Sequence, residues 1–154
     1  MPAEVPSPVP NERMWIPLFA AWVVSLVATM GSLYFSEVML LPPCVLCWYQ
    51  RICMYPIAVI LTVGLAGHDR RVPRYVWPLA LVGLAIAIYH NLLYYDVILE
   101  TFAPCGAGVS CTDRQIEWIG FITIPLLSFA GFTLIVGCLA WFHARTRGIR
   151  RDDR

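Results

Sequence analysis

The amino-acid sequence predicts an all-α membrane protein, a four-transmembrane-helix bundle with two extracytoplasmic cysteine-bearing loops. Three observations lead to this fold class: the composition, four long stretches without charge, and the placement of the arginines. Hydrophobic residues make up 59% of the 154 positions and charged residues only 14%, whereas about 25% of a soluble domain is charged. Lipid must therefore form part of the surroundings of this chain. The sequence has no basic aromatic patch and no phosphate-binding loop, so no nucleic-acid partner is predicted.

Four stretches approach the ~20 apolar residues that a helix needs to cross the hydrocarbon core. They are Met14–Ser36, Ile52–Gly67, Tyr75–Tyr95 and Trp118–Phe142. The second stretch is short, but it extends back to Trp48 if Arg51 is buried or reaches the interface. The predicted spans are therefore about 14–36, 48–67, 75–95 and 118–142. Tryptophans lie near the predicted ends, as an interfacial aromatic belt requires.

The first span is predicted to be a retained helix rather than a cleaved signal peptide. Its apolar run is longer than a signal-peptide core, and no small-x-small cleavage site follows it at Phe35–Glu37. Residues 1–13, which are rich in proline, are predicted to form a disordered cytoplasmic tail, and residues 144–154 a basic cytoplasmic tail. In the third span, Gly83 and Ala87 have the spacing of a close helix contact. Pro125 is predicted to lie inside the fourth span.

The arginines predict the orientation of the chain. The sequence contains no lysine, and nine of its eleven basic residues lie before the first span, between the second and third, or after the fourth. These nine are Arg13, Arg70, Arg71, Arg74, Arg145, Arg147, Arg150, Arg151 and Arg154. The positive-inside rule therefore places both termini in the cytoplasm. Both cysteine-bearing loops then face outward, where disulfides form and persist.

The first cysteine pair, Cys44-Val-Leu-Cys47, stands at the predicted start of the second helix. Pro42-Pro43 cannot lie deep in a helix, which predicts that the helix begins near Cys44. Cys47 then falls in the first turn, where the helix dipole favours a thiolate. Arg51 follows one turn later and adds a second cationic influence. These features indicate a reactive site.

The second pair, Cys105 and Cys111, encloses a small loop in the region before the fourth helix. Closing this seven-residue ring contributes only about 2 kcal/mol in the chain-entropy model. An exposed disulfide of this kind tends to be exchangeable. Thr112–Gln115 resembles a capping box at the start of the fourth helix. Taken alone, the pair would be a loop-stabilising disulfide, but beside an outward CxxC pair it indicates redox exchange.

Other polar or sulfur-containing residues lie within the predicted spans. His90 and Asn91 are near the outer end of the third helix, and a polar residue at membrane depth is a candidate for function. His90 is expected at about the depth of Arg51. Cys53 and Cys138 are predicted to be small buried hydrophobic residues without a redox role.

Three segments resemble a known family. Pro43-Cys-Val-Leu-Cys-Trp-Tyr-Gln-Arg51 is similar to the signature of the DsbB/BdbC membrane disulfide-bond formation proteins. Glu117-Trp-Ile-Gly-Phe-Ile-Thr-Ile-Pro125 looks most like the BdbC branch, and Tyr89-His-Asn91 also fits. With both cysteine pairs in the same order, the resemblance covers about Trp15 to Phe142.

The resemblance implies a path for electrons through four catalytic cysteines. A reduced extracytoplasmic thioredoxin-fold thiol oxidase, similar to DsbA or BdbD, would attack Cys105. Cys111 would then engage Cys44, and the electrons would reach the Cys44–Cys47 pair. The second pair is separated by only five residues, so this exchange can be direct or can pass through a lasting Cys44–Cys111 disulfide.

The resemblance also implies the electron acceptor and the location. Cys47 would pass electrons to a membrane quinone, either ubiquinone or menaquinone, with Arg51 and His90 contributing to its binding. No resident metal is expected. The chain would be a quinone-dependent, disulfide-forming thiol oxidoreductase of the bacterial cytoplasmic membrane that supports disulfide bond formation in exported proteins.

Three alternatives remain open at the level of sequence. Vitamin K epoxide reductase-like enzymes are also four-helix quinone thiol oxidoreductases, but their loop pair precedes the CxxC pair. A zinc- or copper-binding membrane protein would use the four outer cysteines as ligands. A structural protein would hold two static disulfides, which resist mild reductant.

Overall fold

The computed structural model describes residues 12–97 and 123–152, and these ranges are almost entirely helical. The four helices are α1 (Glu12–Leu33), α2 (Val45–Ala66), α3 (Val72–Tyr94) and α4 (Ile124–Asp152). A π-helix at Tyr34–Val38 continues α1. The predicted all-α class with four potential spans is thus confirmed.

All four helices are long and apolar enough to cross a membrane. The qualifying segments are Trp15–Val38, Val45–Ala66, Val72–Tyr94 and Ile124–Arg147. Large apolar side chains also cover the outside of the bundle, and Val27, Val59 and Leu134 are each more than half exposed. An apolar outer surface of this extent fits lipid rather than water. The chain is therefore a multi-pass membrane protein.

The helices form a ring in which each packs against two neighbours, in the order α1, α2, α3, α4 and back to α1. Leu18, Ile57, Leu61 and Phe132 fill the centre and are almost completely buried. With this up-and-down order, one end of the bundle brings together the end of α1, the start of α2, the end of α3 and the start of α4. The candidate site lies at that end.

Small residues allow α3 to approach α4 closely, as the spacing of Gly83 and Ala87 predicts. Ala87 is completely buried, and a Cβ atom added at Gly83 would overlap the ring of Phe132. Contact of this kind drives helix association in lipid, where burial of apolar surface between helices gives little advantage.

Pro125 lies inside the fourth potential span, as predicted, and the start of α4 explains why a proline is tolerated there. Thr123 precedes the helix, and its Oγ1 atom accepts a hydrogen bond from the Leu126 amide at 3.4 Å. Pro125 therefore lies in the first turn of α4, where a missing N–H group breaks no helical hydrogen bond, and it stands at the beginning of the potential span Ile124–Arg147. The predicted span start at Trp118 and the predicted capping box at Thr112–Gln115 lie outside the described residues.

Substitution Gly83→Ala tests the close contact between α3 and α4. We expect it to lower the free energy of unfolding by about 1–3 kcal/mol, because the added methyl group overpacks the site against Phe132. Gly137→Ala is the matched control, since a Cβ atom there meets no atom of the described residues within 4 Å. Thermal unfolding in detergent measures the stability of both variants. Equal unfolding midpoints for Gly83→Ala and Gly137→Ala would contradict the prediction.

Candidate active site

The CxxC pair is positioned by the start of α2. Cys44 is the N-cap residue, with φ −70° and ψ 167°, and the amide N–H of Cys47 donates a hydrogen bond to its Sγ atom at 3.3 Å. Pro42-Pro43 keeps the chain extended before the cap, because proline lacks an amide hydrogen and disfavours a helical residue before it. The prediction that the helix begins near Cys44 is confirmed.

The two sulfur atoms of the pair are in direct contact. Cys44 Sγ and Cys47 Sγ are 2.6 Å apart, and both residues are free thiols here. Cys44 is buried and only 7% exposed, whereas Cys47 is half-buried. The pair can therefore close to a disulfide with a small movement of the side chains.

The stabilised thiolate belongs to Cys44, not to Cys47 as the sequence suggested. Cys44 lies just outside the membrane-spanning segment Val45–Ala66. The hydrogen bond from the Cys47 thiol, with help from His90 and the Cys47 amide, outweighs burial and lowers the pKa of Cys44 from 9.0 to about 4. The main physical reason is the Cys47 thiol, whose hydrogen bond favours the ionised form of Cys44, and the capping position adds the hydrogen bond from the Cys47 amide.

His90 approaches the same sulfur from α3. Its Nε2 atom is 3.9 Å from Cys44 Sγ, and its Nδ1 atom is 3.3 Å from Nε2 of Gln50. An amide nitrogen only donates, so Nδ1 accepts and the ring proton is on Nε2, facing Cys44. Both His90 and Gln50 are buried. Cys44, His90 and Gln50 thus form a buried polar chain between α2 and α3.

Gln50 is a site residue that the sequence reasoning missed. It lies three residues after Cys47, so it returns to the same side of α2 as the CxxC pair. The available signal was a polar residue within membrane depth, the criterion that singled out His90.

Arg51 ties α2 to the end of α1. Its Nη2 atom donates to the Ser32 carbonyl oxygen at 3.0 Å, and its Nη1 atom donates to Ser36 Oγ at 3.3 Å. The guanidinium also lies over the Trp48 ring, with 5.5 Å between its carbon and the ring centroid. A guanidinium carries five N–H donors, so these contacts fix its position and leave others for a ligand.

These residues line one cavity of about 460 Å³ at the end of the bundle. Its polar wall is formed by Cys44, Cys47, Gln50, Arg51 and His90. Most of the remaining lining is apolar and comes from α1 and α4. The lining includes Val27 and Leu127, which are 66% and 50% exposed. The cavity therefore reaches the lateral surface of the bundle between α1 and α4.

The other polar and sulfur-containing residues singled out within the predicted spans are not part of the cluster around Cys44. Asn91 donates from Nδ2 to the Pro125 carbonyl oxygen at 2.9 Å, which ties α3 to α4. Cys53 is buried in the hydrophobic core, and Cys138 packs against the same core, as expected of small hydrophobic residues. The second cysteine pair, Cys105 and Cys111, lies outside the described residues.

A dithiol that can close to a disulfide, at one end of a four-helix membrane bundle, is the arrangement expected of a membrane thiol–disulfide protein. The family model for the disulfide bond formation protein DsbB matches residues 12–142. The chain therefore belongs to the DsbB family, as the resemblance predicted, and its role is in disulfide bond formation. The vitamin K epoxide reductase-like alternative is not supported.

Curated relatives agree with this assignment. Disulfide bond formation protein C of Bacillus subtilis is 48% identical over 119 residues, which cover 77% of this chain and 86% of that protein. Probable disulfide formation protein C 1 of Bacillus cereus is 46% identical over 124 residues, covering 79% and 87% of the two chains. A probable disulfide formation protein of Metapseudomonas resinovorans is 38% identical over 91% of this chain and 98% of its own. No solved structure is significantly similar.

The Cys44 thiolate gives a prediction about pH. In the reduced protein, alkylation of Cys44 by iodoacetamide is expected to persist at mildly acidic pH and to fall only as the pH approaches the pKa of about 4. Substitution Cys47→Ala removes the main hydrogen-bond donor to Cys44. The pH at which alkylation of Cys44 is half-maximal should therefore rise towards 9.0. Mass spectrometry of the modified peptide measures the rate at each pH.

Cys47→Ser is the control, because its hydroxyl still donates to Cys44. Its midpoint should stay below that of Cys47→Ala. Identical midpoints for the two variants would show that the Cys47 side chain does not stabilise the thiolate.

Proposed function

We propose that the chain is a membrane thiol:quinone oxidoreductase that reoxidises an extracytoplasmic thioredoxin-fold thiol oxidase and so supports disulfide bond formation in exported proteins. One observation carries the proposal: the dithiol forms part of the wall of a largely apolar cavity that reaches the lipid-facing surface. A water-soluble acceptor has no need of such an opening, whereas a lipid-soluble one does.

The cavity fits a quinone head group in size and chemistry. Pockets of roughly 300–1,000 Å³ with an apolar lining and a few polar groups are typical of small-molecule sites. A quinone ring presents two carbonyl oxygens that require hydrogen-bond donors. Arg51 supplies N–H groups on the cavity wall, His90 lines the cavity beside Cys44, and Cys47 borders the same space. The Tyr55 hydroxyl is also buried at this wall and has no hydrogen-bond partner among the described residues.

The residues of the chain then have separate tasks. Closing the Cys44 thiolate and the Cys47 thiol to a disulfide releases two electrons and one proton. A bound quinone would take up both electrons and that proton, together with one further proton from water, to become the quinol. The Cys44 thiolate is held by the start of α2, while His90 directs its Nε2 proton at that sulfur. Gln50 fixes this form of His90. Arg51 is kept at the cavity wall by its bonds to α1 and stabilises negative charge there.

Burial of Cys44 supports a relay from the second cysteine pair. A folded partner protein cannot reach a sulfur in a residue that is 7% exposed. A short loop of the same chain is better suited, which agrees with the role that the family resemblance implies for Cys105 and Cys111. In this proposal the partner attacks Cys105, and Cys111 passes the exchange to Cys44.

The position of the arginines and the order of the helices support a site that opens towards the outside of the membrane. Cys44 is at the opposite end of α2 from the loop that carries Arg70 and Arg71. By the positive-inside rule that arginine-rich end is cytoplasmic, so the site would open towards the outside of the cytoplasmic membrane of a bacterium, with both termini inside.

Substitution Cys47→Ser tests the acceptor half of the proposal. In an anaerobic assay with reduced thioredoxin-fold oxidase and a soluble quinone, the variant should lose quinone reduction, because one sulfur cannot release two electrons as a disulfide. Quinone absorbance follows the reaction. Cys138→Ser is the control and should retain activity, since Cys138 packs against the hydrophobic core. Sustained quinone reduction by Cys47→Ser would contradict the proposal.

Substitution Arg51→Ala tests the quinone contact. A hydrogen bond to a charged group contributes roughly 1.5–3 kcal/mol, which corresponds to a rise in the quinone KM of about tenfold to a hundredfold. Ser36→Ala is the matched control, because it removes one bond that holds Arg51 but keeps the cation. If both variants have the same KM and differ only in thermal stability, Arg51 is structural and not part of the quinone site.

A further inference from the structure

We infer that the reduced site binds one thiophilic d¹⁰ cation, of which Zn²⁺ is the test case, and that this ion stops turnover. The observation is a cluster of three ligand atoms: Sγ of Cys44, Sγ of Cys47 and a ring nitrogen of His90 all lie within 4.8 Å of one another. Two thiolates and one imidazole are a ligand set that zinc adopts in catalytic sites, where a fourth position stays open.

The distances need little adjustment to hold the ion. With Zn–S bonds of about 2.3 Å and Zn–N bonds of about 2.0–2.1 Å, neighbouring donors in a tetrahedron are roughly 3.5–3.8 Å apart. Cys44 Sγ and His90 Nε2 are already 3.9 Å apart. The two sulfur atoms, at 2.6 Å, must separate by about 1 Å. Rotation of the Cys47 side chain into the cavity supplies that movement, and the cavity also has room for a water as the fourth ligand.

The charge balance favours a divalent ion at this buried position. Both cysteines bind the ion as thiolates, so one Zn²⁺, two thiolates and a neutral imidazole form a unit without net charge. A neutral unit avoids the large desolvation penalty of an isolated buried ion. It also adds no net positive charge beside Arg51, which lines the same cavity.

Gln50 can support His90 in the metal-bound state as well. Metal binding through Nε2 moves the proton of the neutral ring to Nδ1. Rotation of the Gln50 amide by 180° exchanges its nitrogen and oxygen, so that its oxygen can accept this proton. Metal-ligating histidines usually have such a partner on the other ring nitrogen.

The site exists only in one redox state. In the disulfide form, Cys44 and Cys47 carry no thiolate and the cluster has lost two of its three ligands. In the reduced form, an ion bound to both sulfurs prevents them from closing to the disulfide. Binding of the ion follows from the cluster alone, while its inhibitory effect rests on the proposed function.

Zinc titration of the full chain in detergent tests the binding. The chain is reduced with a phosphine, because dithiothreitol itself chelates zinc, and a chromogenic chelator reports the free ion. We expect one zinc ion on the reduced chain and none at this site on the oxidised chain. Equal zinc binding by the two forms, or no binding by the reduced form, would overturn the inference without any variant.

Variants then assign the ligands. His90→Gln keeps much of the side-chain volume but lacks the imidazole, and should weaken binding by more than about tenfold, since even loss of an outer partner of a ligand costs that much. His68→Gln is the control, because His68 is exposed and lies beyond the other end of α2. A double substitution, Cys105→Ala with Cys111→Ala, should leave zinc binding intact. Loss of binding in that double variant would instead indicate a four-cysteine site.

The inhibition is measured separately from the binding. The pre-reduced chain is mixed with soluble quinone in the absence of a partner oxidase, with and without zinc. Quinone reduction should fall in proportion to zinc occupancy and return when a strong chelator is added. Absence of quinone reduction in the metal-free sample would refute the proposed function but leave the binding result standing. Zinc occupancy without inhibition would refute the inhibitory role.

Discussion

The position of one sulfur atom at the start of α2 governs the chemistry of this protein. N-cap residues are usually Ser, Thr, Asp or Asn, whose oxygen accepts hydrogen bonds from the first turn. Here Cys44 has that position and its sulfur receives the Cys47 amide. Neutral sulfur is a weak acceptor, but a thiolate is a strong one. Capping of the helix and ionisation of Cys44 therefore stabilise each other, which links the local backbone conformation to reactivity.

The other polar residues are arranged around that sulfur in an otherwise apolar bundle. Burying a polar side chain is unfavourable unless it is hydrogen-bonded. His90 contacts Cys44 and Gln50, and Arg51 bonds to Ser32 and Ser36 at the end of α1. These bonds restrain α1, α2 and α3 at the end where the cavity opens. The residues that make the site reactive thus also contribute to its rigidity.

The proposed quinone site and the proposed metal site depend on the same arrangement. Two adjacent sulfurs can release electrons together because they are close enough to form a bond. The same closeness, together with the nitrogen of His90, gives the reduced pair the geometry of a chelator. A dithiol of this kind is therefore exposed to thiophilic ions whenever it is reduced, and rapid removal of its electrons by the acceptor would also limit that exposure.

The membrane class, the four helices and the CxxC pair could be predicted from the sequence, because charge depletion, apolar length and the Pro-Pro-Cys-x-x-Cys run are local properties. The sequence also singled out His90 and Arg51. Three features follow from the packing of the helices: Cys44 carries the stabilised thiolate, Gln50 supports His90, and Asn91 ties two helices together. These outcomes depend on which side chains from different helices meet, and a linear pattern does not specify contacts between residues such as Gln50 and His90, which are forty positions apart.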